Sequence, residues 1–401
     1  MDIKEPVKPI TMRKFLDNFL KVMNKSKEGI NPNKGRSLKK IKNTCAKAVL
    51  FVGLLAIAGS MSNIRAQETK PRIKLGAYYF GGWAGKSRFD DGTPENKWAK
   101  GMPMIFPKKL ATEFAGRMPV WGWRDDTQEI MERQIDLAAD NGIAYFSFCW
   151  YWADNNGPIN IKSIENNPLH VGMNLFMQAK NNNRMEFSLL VANHIGYEIV
   201  GADAWKQAAD YWIKNYFKHP RYLRMNGKPV IVIFSPSGGN AEGFAYLQEA
   251  ARKAGFPGVE IAGSSGGKLE DGYTLRANYG IVPGWGQPSE KHQYSEVIQE
   301  SLQKWHGSPE QPYIPSVTVG CDPRPRGTKA WYFVGNTPEA FGGFLEQMIH
   351  WMDENPEQVT KDRLAAVYAW NEIDEGGMLI PCKDDPNGDY LKAIRKVVLG
   401  K

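Results

Sequence analysis

From residue 73 onward, nearly continuous apolar runs alternate with longer stretches whose apolar residues recur every three or four positions. The runs 73–80, 143–152, 185–193, 229–234, 259–265, 279–285, 313–320 and 364–371 read as strands covered on both faces, as in a parallel sheet. Helices are predicted over 127–141, 170–181, 203–217, 241–254, 293–306 and 337–353. In 127–141, Ile130, Met131, Ile135, Leu137 and Ala138 keep helical spacing, and Gly142 stands where a helix stop is expected. Eight strands with helices between most of them predict an α/β protein, a (β/α)8 TIM barrel. An open doubly wound sheet is the alternative.

The first 66 residues break this pattern. A basic stretch (Lys34, Arg36, Lys39, Lys40, Lys42, Lys47) precedes the apolar run 48–58, and small and polar residues lead to Ala66. That order describes a secretory signal, with cleavage expected after Ala66. The apolar run is shorter than the roughly 20 residues a membrane span needs. The basic region is long, so a later start at Met12 or Met23, or an uncleaved signal anchor, stays open. The expected organisation is a targeting segment, 1–66, and one barrel domain, 67–401. The expected location is outside the cytoplasm: periplasmic, at the cell surface or secreted.

Charge sharpens this division. Residues 1–66 hold 14 Lys and Arg against 4 Asp and Glu, and the remainder holds 37 against 39. The formal charge of +8 therefore belongs to the N-terminus. The body has no basic excess for a nucleic acid or an anionic membrane surface, and neither is expected as a partner. Its three cysteines, Cys149, Cys321 and Cys382, cannot form a complete disulfide set. Scattered histidines and the lack of CxxC, HExxH, GxGxxG or phosphate-loop motifs give no expectation of a metal or cofactor.

In a (β/α)8 barrel the chemistry sits at the C-terminal ends of the strands. Here these ends hold Tyr78, Tyr79 and Trp83 (first), Trp150, Tyr151, Trp152 and Asp154 (second), Asn193 and His194 (third), Trp285 (sixth), Asp322 (seventh) and Trp370, Asn371 and Glu372 (eighth). Indole and phenol faces suit the C–H faces of a sugar ring, and their polar tips suit its hydroxyl edge. The same rings also fill barrel cores, and Trp150, Tyr151 and Trp152 must alternate in direction along a strand. Tyr78, Tyr79, Trp83, Trp150, Trp152, Asn193, His194, Trp285 and Asn371 are the candidate sugar contacts.

Glu372 and Glu375 lie three residues apart, which one helical turn brings within reach of each other. Glycoside hydrolysis usually needs such a pair, one carboxyl protonated and one ionised. Gly376 and Gly377 then allow a tight bend at the rim. Asp374 is a third acid that raises a neighbour's pKa if it is close, or else points outward.

Residues 369–377, AWNEIDEGG, resemble the AWNExxEG signature of WbsX-like proteins and of glycoside hydrolase family 99, the endo-α-mannosidases. In the same order along the chain, GAYYFGGW (76–83), MERQIDLAADNG (131–142), FSFCWYW (146–152) and HPRYLRMNGKPVIVIF (219–234) resemble further segments of that family. The resemblance implies a (β/α)8 barrel and a retaining, endo-acting glycosidase without metal. It implies Glu372 as the base that takes the proton of the sugar 2-hydroxyl, giving a 1,2-anhydro-sugar, and Glu375 as acid and then base. The mannosidases carry aromatic and His residues between the two glutamates, where this chain has Ile373 and Asp374.

The leading expectation is therefore a glycoside hydrolase acting on a polysaccharide or glycan, with an α-mannoside as the implied substrate. A glycosyltransferase or transglycosylase of surface-polysaccharide assembly is the second reading, since WbsX-like proteins are described in those terms. A non-catalytic carbohydrate-binding barrel is the third.

Overall fold

The computed structural model describes residues 71–152, 161–307 and 311–401; the expected signal segment and Asp154 lie outside the described residues. Along the chain run β1 (Lys74–Tyr79), α1 (Gln128–Asp140), β2 (Ile143–Trp150), α2 (Val171–Gln178), β3 (Glu186–Val191) and α3 (Ala202–Trp212). They are followed by β4 (Lys228–Ile233), α4 (Ala241–Lys253), β5 (Glu260–Ser264), β6 (Leu275–Ala277) and α5 (Tyr294–Trp305). Next come β7, in two pieces (Tyr313–Ile314 and Ser316–Thr318), α6 (Pro338–Glu354), β8 (Leu364–Tyr368) and α7 (Asp389–Leu399). Each strand except β5 leads into a helix; a single 3-10 turn, Leu269–Asp271, stands between β5 and β6.

The strands pair in parallel and in sequence order from β1 to β6, and β1 also pairs with β8 from Lys74↔Leu364 to Ala77↔Val367. Closure falls on β7. Its first piece pairs with β6 (Arg276↔Tyr313) and its second with β8 (Ser316↔Ala366). Pro315 separates the pieces because it has no N–H to give the ladder. Its carbonyl still accepts from the Ala366 N–H at 2.9 Å. The result is a (β/α)8 barrel.

Its interior is filled with side chains. Tyr78, Tyr145, Ser147, Ser188 and Val232 converge there and leave a cavity of only ≈ 10 Å³. Gly76 permits this filling: a Cβ there would sit 2.2 Å from the Tyr145 ring. The helices close the outside by capping and by one apolar face. Thr127 accepts from the Ile130 N–H at the start of α1, which buries Met131, Gln134, Ile135 and Ala138. Thr337 does the same for α6, where Pro338 occupies a first-turn position.

Two expectations need correction. The sixth strand is Leu275–Ala277 and not 279–285. Residues 279–285 form a partly covered loop that leads away from the strand end, with Trp285 exposed. Ile281 is buried there, and a Cβ on Gly280 would meet the Tyr368 ring at 3.0 Å. The loop is as apolar in composition as a strand, and the short β6 has too few apolar residues to stand out. The second correction is α7, which was not expected. It is an 11-residue amphipathic helix that buries Leu391, Ile394 and Val398.

Candidate active site

Strand β8 delivers the chain to the C-terminal mouth of the barrel. Asn371–Glu372 then pairs antiparallel with Gly377–Met378, and a 3-10 turn, Ile373–Glu375, joins them. Gly376 closes the turn at φ 75°, in the left-handed region. Gly377 is needed for space, since a Cβ there would lie 2.5 Å from Tyr368. This turn carries three acids. Glu372, Asp374 and Glu375 are all buried, Asp374 completely, so it does not point outward.

Arg326, on the loop after β7, lies among all three. Its Nε and Nη2 donate to the two oxygens of Asp374 at 2.7 and 2.9 Å, a two-pronged pair. Its Nη1 donates to Oε1 of Glu375, and its Nη2 stands 3.5 Å from Oε2 of Glu372. Each glutamate also has a tyrosine: the Tyr368 hydroxyl donates to Oε2 of Glu375, and the Tyr279 hydroxyl to Oε1 of Glu372. Cys149 Sγ lies 3.8 Å from the Tyr279 hydroxyl.

Burial pushes the Glu372 carboxyl well above the usual range, and the neighbouring Glu375 pushes it further, against the pull of Arg326. Burial raises Glu375 as well, again opposed by Arg326. Burial would weaken the Arg326 proton, but Asp374 and Glu375 outweigh that and hold it firmly. Burial and mutual repulsion thus push both glutamates upward, against the one guanidinium that contacts them.

The turn is fastened from behind on two sides. Asn371 accepts from the Phe80 N–H at 2.7 Å and donates to the Phe80 carbonyl at 2.9 Å and to Asp125 at 3.2 Å. Trp83 Nε1 donates to the Asn371 carbonyl at 2.7 Å, and Tyr79 donates to Asp125 at 2.8 Å. Burial raises Asp125 to about 7. On the other side Arg117 donates to the Ile373 carbonyl at 3.1 Å and to Asp322 Oδ2 at 2.6 Å. The Asp322 N–H in turn donates to the Glu375 carbonyl at 2.6 Å. A cavity of ≈ 280 Å³ borders the turn at Gly376 and Met378, with Arg117, Asp322, Asn336 and Tyr390 on its walls. Among the described residues, no group of three or more His, Cys, Asp or Glu is arranged to hold a metal ion.

The sequence profile of the family described as "Glycosyltransferase WbsX" matches residues 123–284 and 274–394. The chain belongs to the WbsX family. Among solved structures, the WbsX-family chain is similar to the family 99 endo-α-mannosidase from Bacteroides thetaiotaomicron in complex with bis-tris propane. The TM-score is 0.53 at 14% identity, over 81% of this chain and 95% of that one. A second structure of a family 99 endo-α-mannosidase from the same organism gives 0.51 at 14% identity, over 82% and 96%. At these identities the likeness is one of fold: a glycoside-hydrolase-like barrel. Comparison with curated proteins finds no match.

In the WbsX-family barrel the sequence-predicted sugar contacts separate. Tyr78 turns inward beneath the site, donates to the Asn278 carbonyl at 2.8 Å and packs 4.8 Å from the Tyr279 ring. Tyr79, Trp83 and Asn371 are buried and spend their polar atoms on the clamp just described, so none is offered to a ligand. Trp150 faces the helices, against Trp212 and His170, with its N–H on the Tyr216 hydroxyl at 3.3 Å. Trp152 is buried beside Trp150, with ring centroids 6.3 Å apart. Asn193 is buried too, donating to the Ser235 carbonyl and accepting the Ser235 N–H. These residues are placed as architecture: strand alternation sends Trp150 outward, and the strands stop before Trp152, Asn193 and Asn371.

His194 and Trp285 retain exposure. His194 packs with Tyr151, Tyr197 and Phe234, and Phe234 meets Tyr279, so a continuous wall of rings runs towards Glu372. Trp285 is 51% exposed on the loop after β6, between Gly284 and Gly286, both at positive φ. Arg326, Tyr279, Tyr368 and Asp125 were not singled out from the sequence. A signal for Arg326 existed: the segment Asp322-Pro-Arg324-Pro-Arg326-Gly follows strand seven on the same face as the acidic motif.

Proposed function

We propose that this WbsX-family protein is a glycoside hydrolase that cleaves a glycan with retention of configuration, with Glu372 and Glu375 as its catalytic pair. The observation that carries this reading is the turn after β8. Two buried carboxyls three residues apart share one guanidinium, and each accepts a tyrosine hydroxyl at the barrel mouth. One carboxyl gives a proton to the leaving oxygen and its ionised partner serves the sugar. The resemblance to the endo-α-mannosidases supports an internal α-mannosidic bond as the substrate. The wall from His194 to Tyr279 and the exposed Trp285 supply faces for further sugar rings.

The test is a screen of residues 67–401 on α-mannans and related glycans, beside Glu372→Gln and Glu375→Gln. Released oligosaccharide, lost in both variants, supports the hydrolase; binding without release, unchanged in the variants, overturns it. NMR of the first-formed anomer decides retention. The family description favours a second reading, transfer of the sugar to an acceptor hydroxyl in place of water. Products longer than the substrate, formed at high acceptor concentration with little free sugar, would favour it. We also propose export through residues 1–66. Removal of that segment leaves a soluble, active protein on this reading, and an insoluble product from an otherwise soluble full chain overturns it.

A further inference from the structure

Trp370 and Asn371, the two residues in front of Glu372, are each tied into a run of hydrogen bonds, and both runs end on the same atom. The Trp370 indole N–H donates to Gln134 Oε1 on α1 at 2.6 Å. Gln134 Nε2 donates to the Tyr79 hydroxyl at 3.4 Å, and that hydroxyl donates to Asp125 Oδ2 at 2.8 Å. Asn371 Nδ2 donates to the same Oδ2 at 3.2 Å. All of these side chains are buried. Every link runs one way, from donor towards Asp125, so the network needs a last atom that only accepts. A carboxylate or carboxamide oxygen meets that need, and a hydrocarbon does not.

Asn371 has no freedom to compensate for a lost acceptor. Its Oδ1 accepts from the Phe80 N–H at 2.7 Å, its Nδ2 donates to the Phe80 carbonyl at 2.9 Å, and its main-chain carbonyl accepts from Trp83 at 2.7 Å. Without Asp125 the second N–H of Nδ2 and the Tyr79 hydroxyl would both be buried donors with nothing to meet. Either can find a new partner only by turning, and a turn of Asn371 breaks its bonds to Phe80. Glu372 is the next residue along the chain. The opposite fastening acts elsewhere: Arg117 and Asp322 grip the carbonyls of Ile373 and Glu375, beyond Glu372.

We infer that Asp125 is a positioning residue of the turn: as the common acceptor of both runs it holds Trp370 and Asn371 and thereby sets the aim of Glu372. It does so from 246 residues earlier in the chain than Asn371, and it touches no reacting atom. The effect on rate rests on the glycosidase reading; the aim of Glu372 does not.

The test compares Asp125→Ala with Asp125→Asn in the full chain acting on α-mannan. Tyr79→Phe is the milder cut, since it removes one hydroxyl from one run. Asp125→Ala should lower kcat about 10–100-fold with KM held within about twofold, because a misaimed group slows the reaction without weakening binding. Asp125→Asn keeps an acceptor oxygen and should return kcat to within about threefold of the wild type. Tyr79→Phe should lower kcat less than Asp125→Ala does, and should add nothing to it in the double variant. An unchanged kcat in Asp125→Ala, a loss confined to KM, an equal loss in Asp125→Asn or additive losses in the double variant would each overturn the assignment. Should Asp125→Ala fail to fold, Tyr79→Phe decides alone, and an unchanged kcat there overturns it.

A second readout needs no substrate. The ¹⁵N-indole resonances of Trp83 and Trp370 and the ¹³C-carboxyl resonance of Glu372 should move in Asp125→Ala and Tyr79→Phe and stay in place in Asp125→Asn. If the wild type releases no sugar from any glycan, the glycosidase reading fails, and these resonances still decide the positioning. A Glu372 carboxyl that does not move in Asp125→Ala overturns it.

Discussion

At the ends of β1 to β3 the barrel carries Trp83, Trp150, Trp152 and Asn193; at the ends of β6 to β8 it carries Tyr279, Arg326, Tyr368 and the Glu372–Glu375 turn. Both sides are aromatic; the first is buried, whereas on the second a half-buried Tyr279 and an Arg326 that reaches the surface surround buried acids. On the first side, most polar atoms meet backbone groups or another packed ring, as with Asn193 on Ser235 and Trp83 on the Asn371 carbonyl. On the second side, charged and phenolic groups meet one another, as with Arg326 on three acids and two tyrosines on two glutamates. A side chain bonded to backbone is fixed in place and holds the fold. Side chains bonded to one another here include two glutamates whose carboxyls are pushed upward, as an acid–base pair requires.

Substitutions on the two sides should therefore separate activity from stability. The largest effect is expected from Glu372→Gln or Glu375→Gln on the glycan. Loss of a positioned acid or base removes about 10²–10⁴-fold in rate, measured as initial velocity of sugar release. The melting temperature should hold or rise, because each change removes a buried ionisable group. Trp150→Ala should invert the pattern. It empties a fully buried site among Trp212, His170 and Tyr216, so denaturant unfolding should show a loss of about 3–5 kcal/mol.

A smaller effect is expected at Asp125, beneath the turn. Its carboxyl rises from the ordinary 3.8 to about 7 in the fold. The native state then holds a proton that the unfolded chain has already released, and stability falls as the pH rises through that interval. Asp125→Asn should flatten the fall in melting temperature between about pH 4 and pH 7; an unchanged slope would show that the Glu372 cluster causes it. The smallest effect on stability is expected at Trp285→Ala, within about 0.5 kcal/mol, since the ring is half exposed. Its effect should appear instead as a higher KM for long glycans, with kcat kept.

The barrel was legible because seven of its strands are long apolar runs between helical patterns. It failed at β6, where three strand residues adjoin a longer apolar loop. The carboxylate pair was legible because Glu372, Glu375 and two glycines are adjacent in sequence and follow β8. Their partners were not, since Tyr279 and Arg326 arrive from other loops. The burial of Trp83, Trp150 and Trp152 was not legible for a related reason: composition places rings at the strand ends, but whether a ring faces the cleft or the helices depends on where the strand stops. Trp150 lies on the last residue of β2 and Trp152 lies beyond it.

The pairing of Lys74 with Leu364, and the hold of Asn371 on Phe80, join parts of the chain some 290 residues apart. Everything that shapes the Glu372 turn from the β1 side is synthesised first, and the turn itself nearly last. A ribosome that stalls before residue 371 releases a chain with neither glutamate and with nothing to occupy the Phe80 backbone. On the glycosidase reading proposed above, sugar release would therefore report that the ring has closed, and an assay of catalysis would also count completed molecules.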